Sequence, residues 1–152
     1  MEFETIEEAI QFAIEKEEAS AQFYHDIAER MEYPATKIIF EVLGQNELRH
    51  KADLELELMK LGKTVPPTPC IIPDPNDKTY MEVDGEAAKM SFLDALQVAI
   101  RKERAAFVLY AGLMAQATDP QLRQLFLDLS EEEMRHLIQF ENEYKDIVSG
   151  RK

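Results

Sequence analysis

Six residues of the chain have the types and the spacing of metal ligands. They are Glu17, Glu47, His50, Glu103, Glu133 and His136. Two of the glutamates stand three residues before a histidine. On a helix this i, i+3 spacing places an oxygen donor and a nitrogen donor on adjacent turns of one face, so one helix can offer both to a single metal ion. The six residues therefore predict a metal site.

An internal repeat relates these residues in pairs. When residues 5–62 are compared with residues 91–148, an offset of 86 without a gap, sixteen of the 58 positions are identical. The offset maps Glu17 onto Glu103 and the first Glu-x-x-His pair onto the second. A lone Glu-x-x-His is a weak motif, but two of them at the offset that also relates two further glutamates are a strong indication of a metal site.

Each copy of the repeat predicts two helices with clear end signals. Thr5 with Glu8, and Ser91 with Asp94, resemble capping boxes at the first helix of each copy. A proline begins the second helix of each copy, as proline does at a first helical position. The predicted helices span about residues 5–31, 34–62, 91–117 and 120–148.

The segment 63–90 contains five prolines, which exclude regular helix from its first half. It is long enough to return the chain along the length of a helix, whereas the turns within each copy are short. Short turns make neighbouring helices antiparallel. The sequence therefore predicts an all-α fold, a four-helix bundle of two antiparallel hairpins joined by a long crossover, forming one domain over residues 1–152.

The glutamates lie where apolar residues are expected. Apolar residues at alternating spacings of four and three mark one buried stripe on each predicted helix, and each stripe has a glutamate near its middle. Burying an ion costs several kcal/mol even after relaxation, and four carboxylates brought together repel one another. Two divalent cations would balance the four negative charges, and the histidines would then serve as neutral nitrogen ligands.

The chain resembles the ferritin-like superfamily of di-iron carboxylate proteins, most of all the di-iron domain of the rubrerythrins. The motifs that carry the resemblance, in chain order, are AIEKEEASAQFY, NELRH, AIRKERAAFVLY and EEMRH. They cover all four predicted helices and leave out the crossover. The cofactor implied is a pair of iron ions, although this ligand set also accepts manganese or zinc.

The resemblance implies a role for each site residue. Glu17 and Glu103 would be terminal ligands, Glu47 and Glu133 would bridge the two metals, and each histidine would bind one metal. Two tyrosines that follow the terminal ligands by seven residues would lie close to the metals, although their alternative role is that of core aromatics. They are Tyr24 and Tyr110.

The activity implied is oxidoreduction, with hydrogen peroxide or O2 reduced at a non-haem di-iron centre. Three alternatives stay open: a ferroxidase or iron-handling protein of bacterioferritin type, a di-iron oxygenase, and a metal-bound structural protein. Rubrerythrins have a further glutamate one turn after the third-helix ligand, where this chain has Ala106. They also have a four-cysteine rubredoxin module, whereas this chain has one cysteine, so an external donor such as a rubredoxin-type protein is expected.

Composition excludes other classes of function. With 17 basic and 30 acidic residues the net charge is −13, which disfavours nucleic acid and anionic membranes as partners. Acidic residues at the N-terminus are unlike a secretion signal, so a cytoplasmic protein is expected. Cys70 lies in the crossover, where no role can be assigned. The third helix is apolar on every face over residues 105–115, which predicts a homodimer through that helix.

Overall fold

The computed structural model describes residues 3–62 and 91–150 of the chain. These residues form four α-helices and no β-strand. The helices are α1 (Ile6–Arg30), α2 (Pro34–Lys60), α3 (Phe92–Gln116) and α4 (Pro120–Val148). The predicted all-α class is confirmed, and every predicted helix end lies within two residues of the observed one.

The chain divides into two compact units, Met1–Met90 and Ser91–Lys152. The first contains the hairpin of α1 packed on α2, and the second contains the hairpin of α3 packed on α4. The predicted crossover, residues 63–90, and Cys70 within it lie outside the described residues.

Side-chain caps begin three of the described helices, and two of these caps, Thr5 and Ser91, were predicted from the sequence. The hydroxyl of Thr5 accepts a hydrogen bond from the backbone N–H of Glu8, and the hydroxyl of Ser91 accepts one from Asp94. The Asp119 carboxylate accepts from the N–H of Gln121 at 2.9 Å. Each cap satisfies one of the backbone donors that a helix start leaves without an intrahelical partner.

Replacing the cap of α4 is expected to lower stability modestly. Asp119→Ala removes the acceptor for the Gln121 N–H and should reduce the free energy of unfolding by about 1 kcal/mol. Urea denaturation measures this change. Glu131→Ala, an exposed position in the middle of the same helix, is the control and should leave stability within about 0.5 kcal/mol of the parent. An Asp119→Ala variant as stable as the parent would contradict the capping role.

The interior of each hairpin is formed by the predicted stripes. In the first hairpin the buried apolar residues include Ile10, Ala13, Tyr24, Ile27, Phe40, Leu43, Leu54 and Leu58. In the second they include Leu96, Ala99, Tyr110, Leu113, Phe126, Leu129 and Phe140. Leu61 was predicted to continue the stripe of α2 but is exposed, because the helix ends one residue earlier.

Apolar side chains also remain on the surface. On α3, Val108 is 62% exposed, and Ala105, Gly112 and Ala115 on the same face are exposed too. The homodimer through this helix remains a prediction. None of the described helices combines the length and the apolar character needed to cross a bilayer.

Candidate metal centre

The first hairpin brings together Glu17, Glu47 and His50, here called the first half-site. All three residues are at most 2% exposed. The imidazole Nδ1 of His50 lies 3.5 Å from Oε2 of Glu17, on the facing helix, and 4.0 Å from Oε2 of Glu47, one turn earlier on its own helix. The nitrogen that faces both carboxylates is thus Nδ1.

The second hairpin repeats this arrangement with Glu103, Glu133 and His136, the second half-site. Glu103 is 1% exposed and Glu133 is fully buried. Nδ1 of His136 lies 3.6 Å from Oε2 of Glu103, within 0.1 Å of the corresponding distance in the first hairpin. The two copies of the repeat therefore place the histidine and the first glutamate at the same separation.

The burial of the two histidines differs. The side chain of His50 is 1% exposed, whereas that of His136 is 12% exposed. The Nδ1 atom of His136 is nevertheless buried, and it has no hydrogen-bond partner among the described residues. A buried ring nitrogen that faces a carboxylate without a hydrogen bond is the expected state of a nitrogen that binds a metal ion.

The distances in each half-site fit a metal ion. In each, the two glutamates and the histidine offer one ligand atom apiece, and these atoms lie within 4.8 Å of one another. Oxygen and nitrogen ligands lie about 2.0–2.2 Å from a metal such as zinc, so two ligands of one ion are about 3–3.5 Å apart. The separations between histidine and terminal glutamate, 3.5 and 3.6 Å, lie at or just above the upper end of that range. The clusters therefore indicate a metal site.

Aromatic pairs stiffen each hairpin two turns from its first glutamate. Tyr24 stacks on Phe40 with ring centroids 6.2 Å apart, and Tyr110 stacks on Phe126 at 6.3 Å. Both tyrosines are at most 1% exposed. Each pair joins the two helices of its hairpin, two turns from the glutamate of one helix and two turns from the Glu-x-x-His of the other. That the tyrosines also act on the metals remains a prediction.

One charged pair beside the first half-site was missed from the sequence. The ammonium of Lys51 donates a hydrogen bond to Oε1 of Glu18 at 3.0 Å, and the lysine side chain is only 4% exposed. The pair follows the ligands directly in the chain, since Glu18 is next to Glu17 and Lys51 is next to His50. A signal was present in the sequence, because Lys51 interrupts the apolar residues of α2 one turn after Glu47.

Comparison with solved structures gives the fold. A hypothetical protein from Pyrococcus furiosus superposes with a TM-score of 0.73 at 21% identity, covering 96% of this chain and 92% of that one. A hypothetical protein from Methanococcus jannaschii superposes with a TM-score of 0.77 at 15% identity, covering 97% of this chain and 85% of that one. The third is a two-domain protein from Anabaena variabilis with DJ-1/ThiJ/PfpI-like and ferritin-like domains. It superposes with a TM-score of 0.69 at 16% identity, covering 92% of this chain and 39% of that one.

Comparison with protein families gives a narrower result. A family model described as Rubrerythrin matches residues 94–152, which contain the whole second half-site. Residues 94–152 of this chain are similar to the rubrerythrin family, and the chain has a ferritin-like fold. No curated protein sequence matches this chain. The predicted ferritin-like four-helix class is confirmed, and the predicted resemblance to the rubrerythrins is confirmed over residues 94–152.

Proposed function

We propose that this rubrerythrin-like chain is an oxidoreductase that binds two iron ions and uses them to reduce hydrogen peroxide. The observation that carries the proposal is the duplicated half-site, in which each hairpin places two buried glutamates with one histidine, and the distance from the histidine to the first glutamate is matched. The match of the second hairpin to the rubrerythrin family supports the choice of chemistry.

Charge balance is the first support for two metal ions. Each half-site carries two carboxylates in the interior of a hairpin, where an uncompensated ion costs several kcal/mol. One divalent cation per half-site offsets the two negative charges. The same argument holds separately for the first and the second hairpin, because the repeat supplies both with the same donors. The proposal therefore requires two ions per chain.

The donor set supports iron. Carboxylate and imidazole ligands suit iron, manganese and zinc, and none of the proposed ligands is the soft thiolate that would favour copper(I) or an iron–sulfur cluster. When bound, a pair of iron(II) ions supplies the two electrons that reduce peroxide to water. Manganese or zinc would fill the same ligands, and zinc would leave the chain without redox activity.

Each of the six residues has a proposed role in binding the ions. Glu17 with His50, and Glu103 with His136, each present an oxygen and an Nδ1 atom from facing helices at the separation of two ligands of one ion. Glu47 and Glu133, each on the helix of a ligand histidine, are proposed to bridge the two ions. Ala106 stands where rubrerythrins have an extra glutamate, so metal movement toward such a residue is not part of the proposal.

The oxidant is tested by loading the apo chain with iron(II) under anaerobic conditions and mixing it with peroxide or with O2 in a stopped-flow instrument. The proposal predicts that peroxide oxidises the iron at least tenfold faster than O2 at equal concentration. The opposite order would overturn the peroxidase and favour a ferroxidase or an oxygenase. No oxidation by either would favour a structural metal site. The reductant that restores iron(II) is proposed to be a separate protein of rubredoxin type.

A further inference from the structure

The two half-sites are equivalent in their ligands but differ in the residues beside them. The offset of 86 residues maps Glu18 onto Arg104 and Lys51 onto Leu137. The first hairpin therefore has a glutamate–lysine pair next to its ligands, where the second hairpin has an arginine and a leucine.

The cation in the first hairpin is held inside it. The Lys51 side chain is 4% exposed, and its ammonium lies 3.0 Å from Oε1 of Glu18. Lys51 also lies one helical turn after Glu47, so the two residues share a face of α2. A buried positive charge thus lies on the same helix face as Glu47, one turn away, and its partner Glu18 is next to Glu17 in the chain.

The second hairpin has no cation at the matching place. Leu137 is 5% exposed and occupies the position of Lys51. Arg104, at the position of Glu18, is 56% exposed and has its guanidinium 3.6 Å from Glu141. Because that charge is in contact with water, it is screened far more strongly than a buried one.

The negative charge of Glu18 offsets the positive charge of Lys51 only in part. The Glu18 side chain is 26% exposed, so water screens the carboxylate more than it screens the buried ammonium. Screening by water therefore weakens the negative charge of Glu18 more than the positive charge of Lys51. A buried positive charge beside a metal position opposes the binding of a divalent cation there.

We propose that Lys51 makes the two metal positions unequal, so that the first half-site binds a divalent cation more weakly than the second. This inference rests on the proposed function, since it assumes that both half-sites bind metal. It assigns the second half-site as the position that fills first and the first half-site as the position whose ion exchanges more readily. Lys51 is thus a specificity-determining residue that is not itself a ligand.

The test is an anaerobic titration of the apo chain with cobalt(II), followed by calorimetry and by visible absorption. The parent is expected to bind two ions in two steps whose affinities differ by about tenfold or more. The double substitution Glu18→Arg and Lys51→Leu, which copies the second hairpin into the first, should strengthen the weaker step and bring the two together. The matched control is Glu57→Arg with Lys60→Leu, an ion pair on α2 with atoms 3.1 Å apart whose lysine side chain is 51% exposed. It should leave the affinities of both binding steps unchanged.

A second double variant, with the opposite substitutions in the second hairpin, tests the inference if the first variant does not fold. Arg104→Glu with Leu137→Lys places the pair in the second hairpin and should weaken the tighter step by about tenfold. The inference is wrong if the parent chain binds both cobalt ions with equal affinity. It is also wrong if neither double variant changes the difference in affinity between the two binding steps. A parent chain that binds no cobalt would instead overturn the proposed function.

Discussion

Replacing either bridging glutamate is expected to reduce the metal content from two ions per chain to one or none. Glu47 is 2% exposed and Glu133 is fully buried, so bulk water does not neutralise either carboxylate, and the proposed function assigns that role to the ions. If each bridges the two ions, Glu47→Ala or Glu133→Ala removes a ligand from both at once. Metal analysis after equilibrium dialysis against iron(II) or manganese(II) measures the result.

Two exposed glutamates on the same helices provide the controls. Glu41→Ala on α2 and Glu131→Ala on α4 remove the same carboxylate from the water-facing side and should retain two ions per chain. Circular dichroism of each variant checks that the helices are intact. If Glu47→Ala or Glu133→Ala keeps its helices and still holds two ions, the bridging role is wrong.

Removal of metal is expected to lower the melting temperature by on the order of 10 °C or more. An ion present at about one hundred times its Kd stabilises the folded state by about 2.7 kcal/mol per site, because it binds only the folded chain. Two sites give about 5 kcal/mol, and for a chain of this size each kcal/mol shifts the melting temperature by about 2–4 °C. Calorimetry of the metal-loaded chain, before and after chelation, measures the shift.

The double variant Glu47→Ala with Glu133→Ala separates ligand loss from a general effect of the chelator. Its melting temperature should be the same with and without chelation, since it has lost the ligands shared by both ions. Apo and metal-loaded parent chains that melt at one temperature would contradict a metal site in the interior of the hairpins.

Local signals explain why the helix boundaries were predictable. Thr5, Ser91 and Asp119 hydrogen-bond to N–H groups two or three residues away, and Pro34 and Pro120 begin their helices. Interactions of such short range depend on neighbouring residues alone. The predicted end of α2 was two residues late, because Gly62 lies beyond the helix with a positive φ of 79°.

The clustering of the metal donors was also predictable, because helical periodicity alone puts each glutamate on the buried stripe of its helix. Within each hairpin the structure brings the predicted oxygen and nitrogen donors together. The contact between Lys51 and Glu18 was not predicted, since periodicity shows which face a side chain lies on but not which residue of the facing helix it reaches.

One exposed apolar surface was not identified from the sequence. The homodimer predicted through α3 stays a prediction, and the outer face of α2 also carries large apolar side chains that are about half exposed. They are Ile38, Val42, Leu56 and Met59. These residues lie on a different face of α2 from the buried stripe. When a helix has two apolar faces, its sequence alone does not show which of them is buried in the fold.

The most direct test of the account is X-ray absorption spectroscopy of the iron-loaded chain, with the iron content measured on the same sample. We predict two irons per chain, oxygen and nitrogen neighbours only, and a second iron about 3.5–4 Å from the first, as in other two-metal sites. One iron per chain, or two irons with no metal neighbour at that distance, would contradict the proposal that the two half-sites bind one pair of ions.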